Sequence, residues 1–253
     1  MTRSDARPSV CAYCRVESDR LEDEHVFPES WYPNTTPTGV AKIKVPSCSE
    51  CNRNYGRTEE RLQRQLAVCI DVANPAAQGV WDRVRRSLRP QDGRNARDAR
   101  IRAGNRDKLM RSVHAAPVGS AGQLPGFGAI EGRLTPEPSG LLTLAADAVK
   151  IAAADVASFT EKLVRGLHYC VHEAPLPTDV EVRTYVVSED EWPALLERTR
   201  AMTAQGVPPG FIFWRGAAQD DPMFAFWYFW IWGQVCLQAS TVPLKFASRE
   251  PHR

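Results

Sequence analysis

CAYCRVESDRLEDEHVFPESWYPNTTPTGVAKIKVPSCSECNRNYGRTEE, residues 11–60, is the stretch on which the reading of this chain turns. It holds two CxxC pairs, Cys11–Cys14 and Cys48–Cys51, with 33 residues between them. A single CxxC is a weak signal. Two of them offer four soft sulfur ligands from two tight turns, which is the set a tetrahedral Zn²⁺ takes. Thiol–disulfide redox chemistry is the competing reading, but it wants one CxxC at a helix N-terminus after a strand, and the local pattern does not offer that. Zinc would also supply folding free energy that so short a segment cannot draw from a core of its own.

Between the two pairs lies Glu24-His25-Val26-Phe27-Pro28, and Asn52 follows the last cysteine directly. An adjacent carboxylate and imidazole can divide two tasks, one binding a hard divalent cation and the other taking a proton from water. Asn52, one residue past a zinc ligand, would be held rigidly, and its oxygen donor suits Mg²⁺ better than a second zinc.

CxxC, then Glu-His-Val-x-Pro, then CxxC-Asn, in that order, resembles the HNH endonuclease family in its zinc-stapled ββα-metal subset. The resemblance covers about residues 11–60. It implies that His25 is the general base, and that Glu24 and Asn52 are the protein ligands of a catalytic Mg²⁺ or Mn²⁺. It also implies a structural Zn²⁺ on Cys11, Cys14, Cys48 and Cys51. The implied reaction is hydrolysis of phosphodiester bonds in nucleic acid, with double-stranded DNA the expected substrate ahead of RNA. The chain departs from the pattern in places. The family often has Asp where Glu24 stands, and Asn34 is the sole asparagine between His25 and Cys48. Gly56 stands where a third metal ligand would come one helical turn after Asn52. Glu59, two turns along the same face, is a further candidate ligand. The alternative is a zinc-ribbon-like module that binds nucleic acid or protein without catalysis.

Beyond this stretch the pattern turns helical from Thr58, with Leu62, Leu66, Cys69 and Ile70 on one face until Asn74-Pro75. Trp81, Val84 and Leu88 continue a second amphipathic segment. Residues 91–140, rich in Gly, Pro and Arg, read as a linker with loops and room for a short strand. Residues 141–150 read as a strand, and Val156, Phe159, Leu163, Leu167 and Cys170 mark a helix face. Val180 to Val187 alternates as a strand does. Asp190 to Ala204 has helix start and stop signals. Phe211–Trp214 and Met223–Leu237 read as a hairpin whose aromatic residues are core or a subunit interface, so a homodimer is an expectation. His168 and His172, four apart, read as core residues of their helix, and Cys69, Cys170 and Cys236 as buried small hydrophobes.

The fold class expected is α+β. Residues 1–65 form the zinc-bound ββα-metal module, 66–115 a helical and Arg-rich connector, and 116–253 a larger α+β domain for recognition, dimerisation or regulation. A partner protein that triggers activity is a further expectation.

Composition sets the outer bounds. The chain has 253 residues, 43% hydrophobic and 25% charged, which is ordinary globular usage. No apolar run is long enough for a membrane span. The N-terminal MTRSDARPSV lacks an apolar signal region, so the cytosol is the expected compartment, where paired cysteines favour metal over disulfides. From Arg83 to Arg111, eleven Lys or Arg stand against three Asp, a balance of +8 in a chain of net charge +2. Such a segment is either a solvated linker or a contact for phosphate. Beside a nuclease module it contacts the nucleic-acid backbone: Arg53, Arg57, Arg83, Arg85, Arg86 and Arg89 are the candidates, with Arg94, Arg97, Arg100, Arg102 and Arg106 beyond them.

Overall fold

A computed structural model describes residues 9–71, 73–116, 127–129, 133–136, 142–187 and 191–247. The chain opens with β1 (Ser9–Val10) and β2 (Glu17–Ser18), an antiparallel pair. The turn between them carries Cys11 and Cys14. It closes through Cys11 N–H to Val16 O at 3.0 Å and Arg15 N–H to Cys11 O at 3.0 Å. Next come β3 (Glu22–His25) and β4 (Lys44–Ser47), antiparallel, with Glu24 opposite Val45 and His25 opposite Lys44. Helix α1 (Ser49–Ala67) follows at once.

Helix α1 begins nine residues earlier than the apolar periodicity indicates. The cause is local: Cys48, directly after β4, is its N-cap, and its sulfur accepts from Cys51 N–H at 3.5 Å. This CxxC does stand at a helix N-terminus after a strand, against the expectation; the second CxxC beside it is what favours metal over redox chemistry. That cap places Cys51, Asn52, Arg53 and Arg57 on the helix. Its buried face then carries Thr58, Glu59, Leu62 and Ala67. Helix α2 (Val80–Ser87) starts after Gly79, whose φ of 76° favours glycine, and buries Val80 and Val84.

The expected linker is helical over α3 (Ala96–Ser112). Asn95 caps it by accepting from Asp98 N–H at 2.9 Å, and Asp98 pairs with Arg102 one turn on at 3.2 Å. Its only buried residue is Leu109, so there is no apolar stripe for a sequence pattern to catch. Then come β5 (Val113–Ala116), β6 (Phe127–Ala129), β7 (Arg133–Pro136) and β8 (Leu142–Lys150). Strand β8 pairs with the other three. The rest of the 91–140 expectation, at 117–126, 130–132 and 137–140, lies outside the described residues.

Helix α4 (Ala153–His172) and strand β9 (Val180–Val186) stand where the sequence pattern puts them. Helix α5 (Trp192–Thr199) is shorter than the expected 190–204. The end of the chain is a meander of β10 (Gln205–Val207), β11 (Phe211–Ala217), β12 (Ala225–Ile231) and β13 (Val235–Pro243). The antiparallel sheet runs β10-β11-β12-β13-β9. The expected Met223–Leu237 strand is thus two strands, with the aromatic run in and beside β12 and the rest opening β13. Trp232 and Gly233 both take positive φ, 52° and 67°, and Gln234 N–H closes the turn on Ile231 O at 3.1 Å.

Strand β12 is covered on both faces. Trp227, Phe229 and Ile231 join the main core, while Tyr228 packs with Leu195 of α5 and with Cys236. The main core runs through the whole chain, from Cys11 and Phe27 to Leu237 and Ala239. Phe27 stacks on Phe211 at 4.3 Å between ring centroids, and Trp31 lies 4.7 Å from Phe159 and 5.1 Å from Trp232. Trp232 Nε1–H also donates to Trp31 O at 2.7 Å. Helix α4 sits close beneath the segment after β3, because Gly166 leaves no side chain there: a Cβ would come within 2.7 Å of a Val26 methyl.

Candidate metal centre and adjoining acidic cluster

The Sγ atoms of Cys11, Cys14, Cys48 and Cys51 all lie within 4.8 Å of one another, and all four cysteines are free of disulfides. Sulfurs around one tetrahedral Zn²⁺ sit about 3.8 Å apart, given a metal–sulfur bond of about 2.3 Å. The Cys14–Cys48 separation is 3.6 Å. Backbone donors point at the sulfurs, with Cys48 N–H 3.3 Å from Cys11 Sγ. Burial opposes a thiolate at Cys11, but backbone donors from Cys14, Cys48 and Tyr13 outweigh it and bring that thiol down to about 7. Burial raises Cys14 and Cys51, the latter strongly, with neighbouring thiols adding to the effect. Four thiolates in this space therefore need a cation among them, and the residues fit one metal ion. Among the described residues this is the single grouping of His, Cys, Asp or Glu with metal-ligand spacing.

A metal ion on this quartet would tie the β1–β2 turn to the start of α1 and so set hairpin β3–β4 against α1. Along β3 the pleat sends Glu22 and Glu24 to one face and Asp23 and His25 to the other. Asn52 reaches Glu22, its Nδ2–H donating to Oε2 at 2.7 Å. Glu24 instead meets Lys162 of α4, whose Nζ lies 2.6 Å from Glu24 Oε1. The same ammonium pairs closely with Glu59 Oε1 and donates to His25 O at 2.8 Å.

Lys162 is fully buried, and its three N–H donors are all used. Burial raises the Glu59 carboxyl above its ordinary range, while Lys162 pulls the other way. The structure thus brings Glu24 and Glu59 together on a lysine and turns Asn52 to a different acid. As arranged, an ammonium holds one oxygen of Glu24 and Asn52 donates to Glu22, so a divalent ion on Glu24 and Asn52 would share Glu24 with Lys162.

His25 has its own surroundings. Its Nε2 is 3.7 Å from Glu29 Oε2, and Glu29 Oε1 accepts from Lys42 at 2.8 Å. Its Nδ1 is buried and has no hydrogen-bond partner. Burial lowers its pKa from 6.5, with Lys44 and Lys42 assisting and Glu29 opposing. The imidazole is therefore neutral at pH 7, the form that accepts a proton. Beside it, Glu29, Tyr32, Thr38, Lys42 and Arg83 help line an open hollow of about 380 Å³.

The candidate phosphate contacts divide. Arg83 is engaged internally, donating to Ser30 O at 3.2 Å, to Asn34 Oδ1 at 2.6 Å and closely to Tyr32 O. Asn34, the one asparagine between His25 and Cys48, is therefore tied to α2. Arg85 pairs with Asp82 at 3.1 Å. Arg53, Arg57, Arg86 and Arg89 are exposed. His168 is buried, as a core residue would be, and lies 4.3 Å from His172 between ring centroids; His172 is only half-buried, which corrects the reading of it as core. Cys236 is buried and Cys69 partly so, but Cys170 is exposed, which corrects the reading of it as a buried hydrophobe.

Sequence patterning did not single out Lys162. A signal was present: a lysine one position from Leu163 and three from Phe159, within the apolar arc of α4. A cation in such an arc requires a buried anion. In comparisons with family models, curated proteins and solved structures, nothing matches this chain.

Proposed function

We propose that this chain is an HNH-type endonuclease that hydrolyses phosphodiester bonds of nucleic acid, DNA ahead of RNA, with Zn²⁺ on the four cysteines as a structural staple. The observation that carries the reading is the order Cys–hairpin–Cys–helix. The acid–histidine pair ends β3 and Asn52 lies in the first turn of α1, with one pair of the cysteine quartet before β3 and the other at the start of α1. His25, neutral and partly buried, takes the proton of the attacking water. A Mg²⁺ or Mn²⁺ ion held by Glu24 and Asn52 would supply positive charge to the scissile phosphate. Glu24 would bind it through the oxygen that Lys162 leaves open, or by exchanging the ammonium for the ion.

One observation favours the second reading, a non-catalytic module that binds nucleic acid or protein. The ammonium of Lys162 already pairs with both the Glu24 and Glu59 carboxylates, one positive charge shared between two acids. A chain that has no use for a hard cation can keep such an arrangement permanently.

Supercoiled plasmid with Mg²⁺ or Mn²⁺ at low salt separates the two. The nuclease reading expects nicking by the wild-type chain, loss of at least about 100-fold on His25→Ala, and none when the divalent ion is omitted. Undamaged plasmid, with one zinc per chain and duplex binding retained, supports the binding module. Cleavage that survives in His25→Ala overturns the role given to that residue.

A further inference from the structure

The basic residues of the Arg-rich segment are not equivalent once folded. On α3 both acids have partners: Asp98 pairs with Arg102 at 3.2 Å and approaches Arg94 at 3.8 Å, and Asp107 approaches Arg106 at 3.6 Å. Arg102 also donates to Arg86 O at 2.5 Å. What remains is Arg97, Arg100, Lys108 and Arg111. All four are exposed, and none has an ion pair or side-chain hydrogen bond among the described residues.

Their spacing is i, i+3, i+11 and i+14, which at 3.6 residues per turn puts them within an arc of about 80°. The stripe is about 21 Å long at 1.5 Å per residue. Its middle is Gly104, where an added Cβ would meet nothing within 4 Å. The buried residue of the helix, Leu109, lies on another side. Four uncompensated cations in a line, with a side-chain gap at the centre, complement a row of phosphates and admit a backbone close to the helix.

A lipid surface would want an inserting apolar face. Ile101 is the one large exposed apolar residue at the edge of the stripe, and Met110 points elsewhere around the helix. An acidic protein would want apolar or aromatic anchors between the charges, and the stripe holds none.

We propose that α3 docks the phosphate backbone of double-stranded DNA through Arg97, Arg100, Lys108 and Arg111, positioning the duplex without reading its bases. The proposal deepens the nuclease reading and rests on it for the choice of DNA. Its test reads binding alone, so the two fail separately.

The probe is a fluorescein-labelled 20-base-pair duplex of mixed sequence, titrated with the full chain without added Mg²⁺ and without chelator, from about 50 to about 300 mM salt. Each phosphate contact contributes about 0.9 to the slope of log K against log salt. Arg97→Gln with Lys108→Gln should flatten that slope by about 1.8 and weaken binding roughly 50-fold at about 0.1 M salt. Arg97→Lys with Arg100→Lys should keep both. The pair Arg198→Gln and Arg200→Gln on α5 removes the same net charge and should leave the slope unchanged. An unaltered slope in the stripe variant overturns the proposal. So does an equal loss in the α5 variant, or binding to phosphatidylserine vesicles in place of the duplex. Loss of duplex binding in the stripe variant, beside a wild type that leaves plasmid uncut, keeps this surface and rejects the nuclease.

Discussion

Lys162 shows what a single side chain decides. It is fully buried in α4, with Glu24 and Glu59 on either side, so removing its charge leaves two carboxylates facing each other out of water. Breaking a buried ion pair in this one-sided way costs about 3 to 5 kcal/mol. Lys162→Met should therefore lower stability by that amount in urea unfolding at pH 7, and adding Glu59→Gln should recover part of the loss by removing one of the stranded charges. A loss below about 1 kcal/mol in Lys162→Met would mean that the cluster is hydrated rather than closed. The residue scale also marks how far the site was legible. Each CxxC pair lies within one local turn, so the quartet could be read from spacing alone. The Lys162–Glu24 pair joins residues 138 positions apart, and no local pattern encodes which acid a buried lysine will meet. Asn52 and Glu24 were read together because they are neighbours in the motif. Glu22 and Glu24 share one face of β3, and the arrival of α4 gives Glu24 to Lys162 while Asn52 takes Glu22.

At the scale of elements, α4 is held between the hairpin–helix unit and the antiparallel sheet, and its face toward the sheet carries a titratable group. Burial, then His172, Arg215 and Arg165, lower the His168 pKa from 6.5 to about 4. A folded-state value below the unfolded one means stability that is complete above pH 6.5 and is lost as pH falls toward 4. The shift corresponds to about 3 kcal/mol over that window. Urea unfolding at pH 7 and pH 4 should show this loss in the wild type, and His168→Leu should reduce the difference by about 3 kcal/mol. An equal difference in both proteins would remove His168 as its source. On the same helix, Gly166→Val should push α4 off the Val26 methyls and cost about 1 to 3 kcal/mol by overpacking, since even a Cβ there approaches within 2.7 Å. Elements with an apolar stripe or strict alternation, such as α4 and β9, were readable from the sequence. Helix α3 was not, because its stability comes from the Asn95 cap and the Asp98–Arg102 pair rather than from a buried face. The β12–β13 turn falls inside a segment read as one strand: Trp232 takes a positive φ there, and Gly233 beside it was the turn signal the sequence carried.

At the scale of the molecule, the readings of a small stapled module and of a larger α+β region meet in one continuous core. The aromatic residues right after the acid–histidine pair are what join them: Phe27 stacks on Phe211, and Trp31 lies against Phe159 and Trp232. The sequence showed these as aromatic residues near a motif, but their partners lie far along the chain, so the shared core could not be read from period or spacing. This sharing changes what metal loss should do. An independent module would melt alone and leave the five-stranded sheet intact. Here the cysteine quartet orders the turn that leads into β3 and the cap of α1, and those elements carry Val26, Phe27 and Leu62 into the same core as Phe229 and Ile231. Binding that favours only the folded state stabilises everything cooperative with it. Stripping the metal with a chelator, or Cys48→Ser, should thus lower the melting temperature seen by tryptophan fluorescence and by far-ultraviolet circular dichroism together, in one transition. A second transition, with the sheet aromatics melting at the original temperature, would show that the hairpin–helix unit folds on its own. Lys162 would then be a contact between neighbours rather than a member of one core.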